Sequence, residues 1–198
     1  MKKKKTKAIK IIDNFLDKEV FKQLQDFLLG DTFTWFYNKS KVFNPQIGFS
    51  PIKGYENEDT HQFTHVFIGT DDGKPYWSSS IGHIIPLLDK IKPRVFIRVK
   101  LNLSSINSRP IVGGWHYDQD TDGNAIPWTD TTTSIFYINT NNGYTMFENG
   151  QKVLCVENRI AIFPNNLMHT GVSQTDTKIK VTLNLNYLDK TKNAINNS

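Results

Sequence analysis

The sequence has little cysteine, no long apolar run and no excess charge outside one end. Cys155 is the single cysteine among 198 residues, so no disulfide closes within the chain. That excludes a disulfide-stapled scaffold and makes a reducing, cytoplasmic compartment the expectation. No apolar stretch reaches the length of a membrane span, which argues against a membrane partner. The start, Met1-Lys2-Lys3-Lys4-Lys5-Thr6-Lys7, is charged but has no apolar h-region after it, so it is not read as a secretory signal. The formal net charge of +5 comes from the same start: Lys2, Lys3, Lys4, Lys5 and Lys7 are five of the 24 basic residues, and the remaining 19 face 19 acidic ones. Nucleic-acid recognition needs a basic stripe or groove on the folded body, and a formally neutral body weighs against it. The sequence shows no internal repeat.

Aromatic residues, by contrast, are plentiful, with 13 Phe, 7 Tyr and 4 Trp. A chain of this length and composition can bury a core of its own. One domain is expected over 11–188, with a basic disordered tail at 1–10 and a polar tail at 189–198. Asp17 is placed as a helix N-cap, with Leu16 before it stapled onto Phe21. Val20, Phe21, Leu24, Phe27 and Leu28 then recur at helical spacing until Gly30. Residues 63–68 read as a strand, and 77–91 as a second helical stretch that Pro86 kinks or starts. From Arg94 the pattern alternates, predicting strands at 94–103, 133–139, 153–156, 160–163 and 178–188. Helical support over 11–93 followed by short strands over 94–188 predicts a mainly β, α+β domain: a helix-backed sandwich or jelly roll, not an alternating α/β fold.

His116-Tyr117-Asp118 carries the chemistry, together with His169. On a strand, residues two apart leave from one face, so His116 and Asp118 reach a single ion while Tyr117 turns away. Two imidazoles and a carboxylate hold a non-haem Fe(II) on one face and leave positions open; the same ligands also suit zinc. With 5 histidines, His-x-Asp arises by chance in roughly one such sequence in three, so the tripeptide alone says little. His65 and His83 are read as ordinary surface or core histidines. Lys178 and Lys180 follow His169, and a cation there could hold the far carboxylate of a co-substrate such as 2-oxoglutarate.

The residues between the ligands add context. Thr133-Ser134-Ile135-Phe136-Tyr137-Ile138-Asn139 comes first, then Asn142-Gly143-Tyr144-Thr145-Met146-Phe147, then 153–156. Asn158-Arg159-Ile160-Ala161-Ile162-Phe163-Pro164 then leads into His169. This order resembles the 2-oxoglutarate/Fe(II) oxygenase superfamily, in particular its prolyl-4-hydroxylase-like branch. There a Tyr-Leu-Asn strand, a Gly-Gly-Thr-x-Phe turn and an apolar strand ending in Phe-Pro stand in the same sequence. The opening Ile12-Asp13-Asn14-Phe15-Leu16 before a helix is similar too. The resemblance covers nearly the whole chain and is similar to small phage and bacterial members, which for a viral protein would mean the host cytoplasm.

The resemblance implies a double-stranded β-helix core, with His116, Asp118 and His169 matching the iron ligands. Lys180-Val181-Thr182-Leu183 is similar to the family's Arg-x-Ser/Thr-Leu strand, so Lys180 is preferred as the 2-oxoglutarate anchor and Lys178 is kept in reserve. Both stand on one strand face, so parity does not separate them. Lys in place of Arg departs from much of the superfamily but is shared with collagen-type prolyl hydroxylases; it offers a point charge instead of a planar fork. Tyr137 matches the position whose phenol donates to the same carboxylate, and Thr182 lies on the face of Lys180. Arg98, Lys100 and Asn102 share a face of the preceding strand, and Asn102 is the one chosen to point into the barrel. Gly143 replaces the family's glycine pair and is expected to supply the positive φ of the turn.

The implied cofactors are Fe(II), 2-oxoglutarate and dioxygen, with ascorbate admissible. The implied reaction is a hydroxylation or related oxidation that releases succinate and carbon dioxide. The branch favours a peptidyl or amino-acid substrate, with a small molecule still open. The loop 119–132 with Trp128, and Trp35, Trp115 and Tyr117, are pocket or core candidates. The second downstream arginine of the superfamily's nucleic-acid demethylases is not found. The sequence leaves the oligomeric state open. Two rivals remain: a cupin-like metalloenzyme that does not use 2-oxoglutarate, in which Lys180 is dispensable, and a non-catalytic jelly-roll binding module.

Overall fold

In the computed structural model, the described residues are 9–41, 50–55, 58, 60–118 and 127–189. The chain runs β1 (Lys10–Ile12), α1 (Lys18–Leu29), β2 (Phe36–Asn38), β3 (Gln62–Asp71) and β4 (Lys74–Trp77), then a 3-10 helix (Ser79–Ile84) and α2 (Ile85–Ile91). It continues with β5 (Val95–Ser105), β6 (Thr131–Tyr137), β7 (Tyr144–Phe147), β8 (Lys152–Leu154), β9 (Arg159–Pro164), β10 (His169–Val172) and β11 (Ile179–Leu188). The large sheet has the order β1-β9-β6-β11-β5-β3-β2, with β4 also paired to β3; the small one is β10-β7-β8. Val112 and His116 bridge to Val172 and His169, so the segment before Asp118 extends the small sheet along β10. The result is the helix-backed, mainly antiparallel double-stranded β-helix predicted above.

Period-two alternation explains the layering. Val181, Leu183 and Leu185 of β11 and Val99 and Leu101 of β5 point to one face, where they meet Phe21, Leu24 and Leu28 of α1 and Leu87 of α2. Burying that face against the helices fixes the register, because a one-residue slip would turn the apolar set around. The other face of the same strands is polar and looks toward the small sheet. Its rows are set by the pairs Lys180 with Ser104, Thr182 with Asn102 and Tyr137, Asn184 with Lys100 and Ile135, and Asn186 with Arg98 and Thr133.

The ends of α1 match the expectation in position but not in every detail. Asp17 is the N-cap, yet its side chain makes no capping bond. The buried Asn158 side chain instead accepts from the Leu16 amide and donates to the Leu16 carbonyl, both at 2.8 Å. Gly30 ends the helix at φ −72°, and a Cβ there would stand 2.9 Å from the Asp26 carbonyl oxygen.

Several boundaries move. The stretch 77–91 is not one helix: Trp77 closes β4, a 3-10 helix follows, and the α-helix begins at Ile85 with Pro86 in its first turn, where a missing N–H costs nothing. Lys10, assigned to the tail, pairs with Ile162 in β1; residues 1–8 of that tail lie outside the described residues, as do 190–198 of the polar end. The loop 119–132 is cut short by β6, which starts at Thr131, and 119–126 are not among the described residues. Lys178 lies in the bend before β11, not on the strand, so it does not share a strand face with Lys180. His116 and Asp118 do not sit on a regular strand either: His116 makes an isolated bridge and Asp118 a bend, because the small sheet ends there.

Candidate metal and co-substrate site

His116 and His169 face each other across that bridge, with ring centroids 4.7 Å apart. Asp118 comes in from the bend, and one ligand atom from each of the three lies within 4.8 Å of the others. His116 Nδ1 donates to the Gly114 carbonyl at 2.8 Å, and its Nε2 faces Asp118 Oδ1 at 3.5 Å. His169 Nδ1 turns to the Leu167 carbonyl at 3.4 Å. His169 Nε2, 3.9 Å from Asp118 Oδ1, is buried and has no hydrogen-bond partner. An unpaired buried acceptor costs about 1–3 kcal/mol, and a metal ion between the three groups would satisfy it. The backbone carbonyls behind each imidazole are the outer-shell partners a metal site uses to fix the tautomer.

The electrostatics agree. Burial, with His116 nearby, lowers the His169 imidazole to about 4, so it is neutral and ready to ligate at pH 7. Burial alone would raise the Asp118 carboxyl. The bond with His116, then the neighbouring imidazoles and the Arg98 guanidinium, outweigh it and hold the group well below the usual carboxylate range. Asp118 Oδ2 accepts from Asn186 at 3.1 Å and Asn184 at 3.4 Å, and the Arg98 guanidinium stands 3.3 Å from Oδ1.

The triad stands at a cavity of ≈ 290 Å³ between the two sheets. Lys180 lines it, is only 9 % exposed, and donates from Nζ to the Val172 carbonyl at 2.6 Å. Among the described residues it has no carboxylate partner. Burial lowers its ammonium pKa. Thr182 and Asn102 line the cavity too, and Lys100 and Arg98 stand beside Asn102 on the same wall. Lys178 is exposed and outside it.

Tyr137 is placed differently from the expectation. Its phenol is fully buried among Phe147, Val153 and Cys155 and donates to Thr145 Oγ1 at 2.8 Å; Thr145, not Tyr137, lines the cavity. Gly143 has no positive φ. It is needed for room, since a Cβ would stand 2.9 Å from the Val172 carbonyl oxygen and 3.0 Å from the Lys180 stem. Trp115 is core at 0 % exposure, Trp35 packs against the helix-side cluster, and Tyr117 lines the cavity. His65 bonds to Thr34 and Ser78, and His83 stacks on Phe27, as ordinary structural histidines do. Sequence reasoning missed Asn184, Asn186 and Thr145. The polar positions 180, 182, 184 and 186 alternating with Val181, Leu183 and Leu185 were the available signal for the first two.

No family model matches the sequence, and no curated protein matches it. Solved structures do match. A 2OG-Fe(II) oxygenase family oxidoreductase from Burkholderia pseudomallei superposes with a TM-score of 0.60 at 11 % identity, covering 91 % of this chain and 84 % of its own. A Trichoplax adhaerens prolyl hydroxylase, in complex with a hypoxia inducible factor oxygen degradation domain peptide fragment, gives 0.55 at 13 % identity, covering 98 % and 89 %. The non-heme α-ketoglutarate-dependent epimerase of nogalamycin biosynthesis gives 0.55 at 10 % identity, covering 92 % and 78 %. This chain therefore has the fold of the 2-oxoglutarate/Fe(II) oxygenases and prolyl hydroxylases.

Proposed function

We propose that the protein is a 2-oxoglutarate- and Fe(II)-dependent dioxygenase that hydroxylates a peptidyl, amino-acid or small-molecule substrate, releasing succinate and carbon dioxide. The observation that carries this reading is the convergence of His116, Asp118 and His169 beside a cavity that also holds the buried Lys180, which meets no carboxylate among the described residues.

His116 Nε2, His169 Nε2 and Asp118 Oδ1 would hold the metal on one face. Asn184 and Asn186 keep Asp118 Oδ2 occupied and so aim Oδ1. Lys180 would bind the far carboxylate of 2-oxoglutarate as a point charge, with Thr145 and Thr182 on the same walls. Tyr137 acts behind Thr145, fixing its hydroxyl. Lys178 is given no role. Bound there, Fe(II) and 2-oxoglutarate together supply the oxidising power that dioxygen chemistry needs. The apolar shell of Phe147 and Phe163 against His169 keeps water from that side.

The fold's neighbours include one bound to a peptide fragment and one acting in nogalamycin biosynthesis, which supports keeping both substrate classes. No helix among the described residues is long and apolar enough to cross a membrane. A cytoplasmic location is part of the proposal, in keeping with a reduced metal and one buried thiol.

Anaerobic calorimetry tests the reading, with Mn(II) as a redox-silent probe. We expect 2-oxoglutarate to bind only after the metal and to lose about tenfold or more in affinity in Lys180→Met. Metal binding without any 2-oxoglutarate binding would overturn it and favour the cupin-like alternative.

A further inference from the structure

We infer that the substrate carries an anionic group, a carboxylate or a phosphate, and that Lys100 is the residue that binds it beside the metal triad. This rests on the dioxygenase reading above and adds the substrate's charge to it.

Two cations of the inner face are separated by the strand register. Lys180 pairs with Ser104, whereas Lys100 pairs with Asn184, which is the row that donates to Asp118. The two rows are about 14 Å apart along the strands, at about 3.4 Å per residue. They therefore serve different ends of the cavity: Lys180 the far end, Lys100 the end at the triad. Lys100 lines that cavity, and among the described residues its ammonium makes no hydrogen bond and no ion pair. An ammonium taken largely out of water without a partner is costly, and in folded proteins the compensation is an anion. Burial, then the neighbouring Arg98, brings Lys100 down to about 8, so at pH 7 it is still mostly a cation.

The charge balance points the same way. Among the described residues, Lys41, Arg98, Lys100 and Lys180 line the cavity against a single carboxylate, Asp118. A divalent metal adds two positive charges and 2-oxoglutarate removes two, so the loaded site remains positive. Arg98 is already committed to Asp118 and to Asn186, and Lys180 to the co-substrate; Lys41 stands by Gln62, next to the Phe63–Leu103 pair at the Lys180 end, which leaves Lys100 for the substrate beside the triad. A cavity of ≈ 290 Å³ shared with 2-oxoglutarate admits only a small anionic end of the substrate.

The test uses the full chain loaded with Mn(II) and saturating 2-oxoglutarate. Inorganic phosphate and acetate are the probes, each followed by the paramagnetic relaxation of its own nuclei, so that the two arms separate the phosphate from the carboxylate. Wild type, Lys100→Met and Lys100→Arg are compared. The inference expects a probe held near the metal, about tenfold or more weaker in Lys100→Met and recovered in Lys100→Arg, with 2-oxoglutarate affinity changed less than about twofold. Retained 2-oxoglutarate binding also shows that Lys100→Met is folded at the site. Equal probe binding in wild type and Lys100→Met, or none in either, overturns it. Loss of 2-oxoglutarate affinity in Lys100→Met overturns it as well, since Lys100 would then anchor the co-substrate. Failure of wild type to bind 2-oxoglutarate with metal is read before any probe is added; it sinks the dioxygenase reading and this inference with it.

Discussion

Asp118 turns one carboxylate oxygen toward two imidazoles and keeps the other against Asn184 and Asn186. Outer-shell partners of this kind hold a ligand in its productive orientation. Asn186→Leu is therefore expected to weaken metal binding about 10–100-fold, measured by chelator competition, and the Asn184→Leu effect should be smaller because its bond is longer. Unchanged affinity in Asn186→Leu would remove the amide from the site. His169 gives a pH prediction for the metal-free protein. Its folded pKa of about 4 lies below the ordinary 6.5, so between those values the unfolded chain binds more protons and stability falls as pH drops. The loss across that window is on the order of 3 kcal/mol, and urea melts at pH 7 and pH 5 should show most of it. His169→Phe should flatten the dependence. The three candidate ligands were legible in the sequence because His and Asp at a two-residue spacing, with a second His downstream, make a chemically specific set. The carboxamides were not: an Asn on the polar face of a strand looks the same whether it meets water or a metal ligand.

β11 divides two jobs between its two faces. Val181, Leu183 and Leu185 lock the strand to the helices, and Lys180, Thr182 and Asn184 face the cavity. Leu183→Ala should cost about 2–5 kcal/mol in urea denaturation through the void it leaves, with metal affinity retained in the folded protein. Lys178→Ala should leave both stability and 2-oxoglutarate affinity unchanged; a loss of binding would return Lys178 to the site. Long alternating strands such as β5, β6 and β11 could be placed from the sequence to within a few residues, since their burial pattern is written in every second position. The three-residue β1 and β2 could not, because pairing with β9 and β3 creates them, not local propensity. The helical reading of 77–91 failed for a related reason: Trp77 fits a helical spacing but is drawn into β4 by pairing with Ile68 of β3. Gly143 also shows the limit of local reasoning. Its smallness answers to Val172 and Lys180, both brought near only by the fold.

At the scale of the whole molecule, the two sheets close on the triad from both sides: β10 and the 112–116 segment bring the histidines, and β5 and β11 bring the groups that hold Asp118. A metal that binds this assembled site and not the unfolded chain must stabilise the fold. At a free concentration of about 100 times its Kd, Mn(II) should add about 2.7 kcal/mol and raise Tm by about 5–10 °C, an effect absent in His169→Ala; an equal shift in that variant would place the metal elsewhere. The fold class was readable in the order of helical and alternating segments, whereas the depth of the cavity and the separation of Lys100 from Lys180 needed the register of β5 against β11. The most direct measurement of the central claim is the visible spectrum of the protein with Fe(II) and 2-oxoglutarate in the absence of oxygen. The account predicts a weak charge-transfer band that disappears in His116→Ala and weakens in Lys180→Ala. No band in wild type, with Fe(II) or 2-oxoglutarate shown not to bind, would contradict it.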